Sequence, residues 1–298
     1  MSVALIFPGQ GSQQVGMHLD AGGACWDADT FAEADEALGY ALSRVVADGP
    51  EDALSRTEIT QPALLATGVA MARRLMRAQP ELRVVGAAGH SLGEYTALVV
   101  SGALDFADAL RLVRVRGRAM QEAVPVGVGG MAAILGLELA QVEALCAEAA
   151  QGEVVSMAAD NCPGQVTIAG HVGAVARVVA AVEGAGGVGK RLAVSAPFHC
   201  ALLAPAADAL AEAIARVDVR AGTFPVLHNV DGRPAFTPDD VRVRLVAQVV
   251  APVRWSECFR GLRALGAETA YECGPGRTLA GMARRIDKTL PVRSGAEA

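Results

Sequence analysis

The stretch "VVGAAGHSLGEY", Val84 to Tyr95, decides how the rest of the chain is read. Val84 to Ala88 is a short uninterrupted apolar run of the kind a fully buried strand shows. The "LGEYTALVVSGAL" that follows changes to a helical pattern ending near Gly102. Ser91 therefore falls on a strand-to-helix turn, and Gly89 and Gly93 let the neighbouring backbone close up with no Cβ in the way. The pattern is G-x-S-x-G. Taken alone it leaves two readings open. Ser91 is either a nucleophile held exposed on a sharp turn or an N-cap whose hydroxyl accepts a bond from the first helical turn.

Working outward, the first 125 residues alternate short apolar runs with alanine-rich amphipathic segments. "VALIFPG" reads as a first strand, a helix follows near Cys25 to Leu38, and "ITQPALLATGVAMARRLM" precedes the Ser91 turn. This is an α/β pattern with a parallel sheet. Beyond "VPVGVGG" the order becomes strand "MAAILGL", helix "ELAQVEALCAEAA", strand "VVSMAA", turn "DNCPGQ", strand "VTIAG", helix "AVARVVAAVEGA" and strand "KRLAVS". That βαββαβ order predicts a ferredoxin-like small domain at 126–196, inserted into a body made of 1–125 and 197–298. After it come a helix in "FHCALLAPAADALAEAIARV", a strand with a turn in "TFPVLHNVDGRP", strand "ETAYECG" and helix "RTLAGMARRIDKTL"; the tail "RSGAEA" reads as frayed.

Composition narrows the class. With 298 residues, 52% of them hydrophobic and 19% charged, the chain is expected to be globular, and no apolar run approaches the roughly 20 residues of a membrane helix. The run Val3 to Phe7 has no basic flank and is too short for a signal-peptide core. A net charge of -6 disfavours nonspecific nucleic-acid binding. Six cysteines without C-x-x-C spacing indicate neither a zinc site nor a redox pair, and fit reduced thiols in the cytoplasm. Gly184, Gly186 and Gly189 spell G-x-G-x-x-G, but they follow a helix and precede a strand, the reverse of the order that puts pyrophosphate on a helix N-terminus. "GPGR", Gly274 to Arg277, lacks the Lys-Ser/Thr end of a phosphate loop and reads as a tight turn.

A nucleophilic serine needs a base and donors for the oxyanion. His90 is its neighbour, and adjacent side chains on a tight turn point apart; His18 and His171 lie near helix starts. His199, on a loop between the last strand of the insert and the next helix, and His228, among apolar neighbours, remain. The loop position favours His199. Asp160 is the one acid between Ser91 and His199 in an expected loop, and that loop belongs to the insert, so a carboxylate triad and with it a general esterase are disfavoured.

Eight blocks in fixed order, "FPGQGSQQVGM", "TQPALLATG", "GHSLGEYTALVVSGAL", "RGRAMQEAV", "NCPGQVTIAG", "APFHC", "QVVAPVRW" and "YECGPGRTL", together resemble the malonyl-CoA:acyl carrier protein transacylase family from Val3 to about Ile286. The resemblance implies an α/β-hydrolase-like body with a ferredoxin-like insert. By its motifs Ser91 is the nucleophile, His199 the base, and the backbone carbonyl of Gln248 orients the imidazole in place of an aspartate. The N–H groups of Leu92 and Gln10 form the oxyanion hole. Arg116 grips the free carboxylate of a diacid half-thioester with its guanidinium fork; Arg111, Arg114 and Arg118 are expected on a solvated helix face. Gln61, Met120 and Phe198 line the acyl pocket, Phe198 leaving little room for an α-branch.

The same resemblance implies malonyl transfer from malonyl-CoA to the phosphopantetheine thiol of acyl carrier protein, by a ping-pong malonyl-serine route, in fatty-acid or polyketide synthesis. No metal or redox cofactor is implied, CoA and phosphopantetheine being substrates, and a cytoplasmic monomer is expected. Lys190 and Arg191, opening the strand that leads to His199, are the expected carrier contacts. Two other classes stay in view: a serine hydrolase that admits water to the same turn, and a noncatalytic carrier-binding protein. Gln10, Ser91, Arg116 and His199 occurring together argue against the second.

Overall fold

The protein is described by a computed structural model covering residues 1–194 and 196–297. Its first sheet is parallel and has five strands: β1 (Ser2–Phe7), β2 (Arg83–Gly89), β7 (Val226–Leu227), β8 (Thr269–Glu272) and β9 (Val292–Ser294), in the order β7-β2-β1-β8-β9. Along β1, Val3, Leu5 and Phe7 point into one core, with Leu65, Tyr95, Leu110 and Leu210. Ala4 and Ile6 point into another, with Trp255, Phe259 and Leu262. Both faces are thus covered by helices, which explains why the strand is an unbroken apolar run.

The second sheet is antiparallel, with β3 (Gly129–Leu135), β4 (Val155–Cys162), β5 (Gln165–His171) and β6 (Val188–Arg191) in the order β4-β5-β3-β6. Ala132, Ile134 and Ile168 pack on its helices Leu139–Ala150 and Val172–Gly184, burying Val142, Val175 and Val178. The opposite face presents Met131, Ala158 and Thr167 to a cavity shared with the first sheet. No helix among the described residues is long and apolar enough to cross a membrane.

Three sequence expectations change. Asp160 lies inside β4, not in a loop, because the β4–β5 turn closes on Pro163 and Gly164 instead. The tail expected to fray is ordered up to Glu297, since Val292–Ser294 pairs with β8 and a 3₁₀ turn, Gly295–Glu297, follows; Ala298 lies outside the described residues. The strand expected at Lys190 to Ser195 starts at Val188 and ends at Arg191; Ser195 lies outside the described residues.

β1 and β2 end side by side, Phe7 opposite Gly89. The loops after β1, β2 and β7 therefore leave from one edge, the carboxyl ends of parallel strands, where open α/β sheets place their ligands.

Candidate functional site

Ser91 sits at φ 51°, ψ −103°, a strained conformation for a residue with a side chain. Close approach of the backbone fixes it. A Cβ on Gly89 would lie 1.8 Å from the Gly93 carbonyl carbon, and one on Gly93 would lie 2.1 Å from the Phe7 carbonyl oxygen, so neither position admits alanine without movement. Asn229, just beyond β7, clamps the turn from outside: its Oδ1 accepts from the Ser91 N–H at 2.7 Å and its Nδ2 donates to the Gly89 carbonyl at 2.8 Å. The Ser91 hydroxyl makes no capping bond to helix Leu92–Val100. It faces the cavity instead.

There Ser91 Oγ lies 2.7 Å from His199 Nε2, and His199 Nδ1 lies 2.8 Å from the Gln248 carbonyl oxygen. A carbonyl only accepts, so Nδ1 carries the proton and a neutral ring leaves Nε2 bare to accept from the serine hydroxyl. His199 is 6% exposed. Burial, then the charge of Arg116, hold its pKa down at about 3, against the opposing pull of the bond to Gln248. The imidazole is therefore uncharged at neutral pH.

Arg116, from helix Phe106–Glu122, is 1% exposed. Its Nη1 donates to Gln61 Oε1 at 2.9 Å, and its Nη2 donates to Gln248 Oε1 at 2.9 Å and to Ser91 Oγ at 3.0 Å. The guanidinium also lies 5.3 Å from the centre of the Tyr95 ring. All three hydrogen-bond partners are neutral. Among the described residues no carboxylate enters its hydrogen-bond shell, and a buried cation so placed is poised to take an anion. Burial lowers its pKa, yet a guanidinium stays charged in water-accessible pH. Arg111, Arg114 and Arg118 of the same helix turn outward: Arg111 pairs with Asp108, Arg118 pairs with Glu122, and Arg114 stacks on Tyr40.

The cavity has a volume of about 660 Å³ and brings Gln10, Gln61, Leu92, Met120 and Phe198 around Ser91 and Arg116. Gln61 Nε2 approaches Met120 Sδ at 3.8 Å, and both residues are buried. Leu92 opens its helix, so no intrahelical carbonyl reaches its N–H. Gln10 stands on the loop after β1, its side chain bonded to Thr57 Oγ1 at 3.3 Å. Lys190 and Arg191 do not line the cavity; Leu192, Ala193 and Val194, directly after them, do.

The other histidines are accounted for elsewhere. His228 is 1% exposed and pairs with Glu94 at 2.7 Å, making no bond to Ser91. His90 Nε2 pairs with Asn161 Oδ1 at 2.9 Å, His18 packs edge-on to Phe31, and His171 Nδ1 accepts from the Val154 N–H. Glu94, Asn229 and the side chain of Gln248 escaped the sequence reading. The one signal for Glu94 was a charged residue in the first turn of a helix that is otherwise apolar.

The fold and this serine–imidazole–guanidinium site define an acyl-transfer protein, and the family model "Acyl transferase domain" matches residues 4–289. The malonyl CoA-acyl carrier protein transacylase of Escherichia coli (strain K12) is 50% identical over 291 residues, covering 96% of this chain and 93% of that protein. The Bacillus subtilis (strain 168) protein of the same name is 40% identical over 97% of this chain and 91% of its own. Among solved structures, the transacylase from Coxiella burnetii superposes with a TM-score of 0.95 at 43% identity, over 99% of this chain and 94% of that one. A type II PKS acyl-carrier protein in complex with its malonyl-transacylase matches with a TM-score of 0.95 at 44% identity, over 99% of this chain and 96% of that one. The chain belongs to the malonyl CoA-acyl carrier protein transacylase family.

Proposed function

We propose that the protein moves a malonyl group from malonyl-CoA to the phosphopantetheine thiol of acyl carrier protein through a malonyl-Ser91 ester. The observation that carries the reading is the serine hydroxyl shared between an uncharged imidazole at 2.7 Å and a buried guanidinium at 3.0 Å. One partner takes its proton; the other takes the far carboxylate of the acyl group. On this reading the malonyl carboxylate replaces Ser91 Oγ as the acceptor for Arg116 Nη2.

Ser91 Oγ attacks the thioester carbonyl while His199 Nε2 accepts its proton, and the Gln248 carbonyl steadies the imidazolium that forms. The carbonyl oxygen, now negative, lies against the N–H groups of Leu92 and Gln10. As the C–S bond breaks, His199 returns the proton to the departing CoA sulfur. The carrier thiol then gives its proton to His199, attacks the ester carbonyl, and the released Ser91 oxygen takes the proton back. No redox change occurs in either half, and both products are thioesters or thiols like the reactants.

The same reading takes the parallel-sheet body, 1–125 with 197–298, as α/β-hydrolase-like, supported by the strained serine turn between β2 and its helix. It takes 126–196 as a ferredoxin-like insert, supported by the order β4-β5-β3-β6 of its strands. It places the carrier against Lys190 and Arg191, whose strand leads into the cavity-lining Leu192 to Val194. The test is a transfer assay with labelled malonyl-CoA and holo-carrier. Label on the carrier thiol is the expected result; label released as free malonate, with the carrier bare, points to a hydrolase and sinks the proposal.

A further inference from the structure

Beneath the serine turn lies a polar cluster that the transfer steps leave unused. Glu94, three residues beyond Ser91, is 0% exposed. Its Oε1 accepts from His228 Nδ1 at 2.7 Å. Its Oε2 accepts from the Asn229 N–H at 2.8 Å and from Gln248 Nε2 at 2.9 Å. The other end of the Gln248 carboxamide, Oε1, accepts from Arg116 Nη2 at 2.9 Å. A carboxamide has one donating and one accepting end, so turning Nε2 toward Glu94 turns Oε1 toward Arg116. A buried cation and a buried anion are thus joined through a neutral spacer.

An uncompensated buried charge is costly, but a carboxylate bound directly to the Arg116 fork would occupy the place a substrate carboxylate needs. We infer that Glu94 is a positioning residue, the counter-charge of Arg116 held one side chain away: through Gln248 it aims the guanidinium while leaving the fork open to an incoming carboxylate. The inference rests on the proposed role of Arg116 as the carboxylate site. Burial pulls the Arg116 pKa down, and the Glu94 charge is among the influences that push it back up.

Glu94→Gln removes the charge and keeps a carbonyl oxygen for Gln248 Nε2. With no anion behind it, the guanidinium attracts a carboxylate more strongly. Malonate, as a competitive inhibitor against malonyl-CoA, is expected to bind the variant about three- to tenfold more tightly than the parent, and uncharged malonamide equally. Unchanged or weaker malonate inhibition overturns the inference. Should Glu94→Gln not fold, the double variant Glu94→Gln/Arg116→Gln removes both charges. It folds if charge imbalance was the fault, and its failure to fold overturns the inference. Arg116→Ala tests the underlying reading separately. If that variant loses malonyl-CoA and acetyl-CoA turnover alike, Arg116 is not the carboxylate site; if malonyl-CoA alone suffers, the malonate result judges Glu94 by itself.

Discussion

Replacing Arg116 by alanine is the perturbation with the largest separable effect. At 1% exposure the guanidinium is almost fully desolvated, and a substrate carboxylate brought to it is desolvated too. Removing one partner of such a pair costs about 3–5 kcal/mol. At about 1.4 kcal/mol per tenfold, kcat/KM toward malonyl-CoA should fall about 10²- to 10⁴-fold. The truncation has a second consequence. Gln61 Oε1 and Gln248 Oε1 both lose their donor, at about 1–3 kcal/mol for each acceptor left buried and unpaired, so the fold is weakened as well. The discriminating quantity is therefore the ratio of kcat/KM for malonyl-CoA to that for acetyl-CoA, which shares the fold effect and lacks the carboxylate. Steady-state assays with both thioesters below the unfolding temperature should show the ratio collapsing. Arg116→Lys should fall between, since one ammonium cannot reach Gln61, Gln248 and two carboxylate oxygens together. An equal loss on both thioesters would show Arg116 to be a structural cation and refute the reasoning.

His199 ties stability to pH. Its pKa is about 3 in the folded chain against an ordinary value of 6.5, so between those values the unfolded chain holds more protons and stability falls as pH falls. Going from pH 7 to pH 5, this group alone should cost about 2 kcal/mol; urea unfolding of His199→Asn should show that much less pH dependence than the parent, and equal slopes would mean the imidazole is not held neutral. The same variant should slow acyl transfer about 10²-fold or more. Gly93→Ala puts a Cβ 2.1 Å from the Phe7 carbonyl oxygen, so it should destabilise by about 1–3 kcal/mol or more and open the serine turn; a melting temperature matching the parent would contradict the close approach. Lys190→Glu/Arg191→Glu should slow transfer to the carrier and weaken its salt dependence if these two cations guide docking, while acylation by malonyl-CoA stays constant, and unchanged carrier transfer at low salt would move the docking surface elsewhere.

The sequence was legible wherever local pattern and tertiary role coincide. β1 and β2 are read from apolar runs because both faces of those strands are buried, and the serine turn from two glycines because the backbone really does close to contact there. The four-stranded antiparallel sheet followed from the alternation of strands and helices between Gly129 and Arg191. What escaped was built from distant pieces. Asn229 reaches Ser91 across 138 residues, and its strand, Val226–Leu227, is too short to show any period. Helices Pro238–Gln248 and Trp255–Ala264 were not anticipated, and the first has almost no apolar stripe to announce it. "DNCPGQ" carries turn residues throughout and reads as a loop, whereas pairing with β5 carries the strand through Asp160 to Cys162. The resemblance points to the Gln248 backbone alone; nothing in "AQVVAPVRW" says that its carboxamide joins Arg116 to Glu94.

The central claim is that Ser91 carries the malonyl group between two thiols. Intact-mass and peptide mass spectrometry after brief exposure to malonyl-CoA, followed by addition of holo-carrier, tests it directly. The account predicts a single malonyl group on the peptide containing Ser91, absent from folded Ser91→Ala, that disappears as malonyl-carrier forms. A malonyl adduct on any other residue, or one that persists in Ser91→Ala, would contradict it.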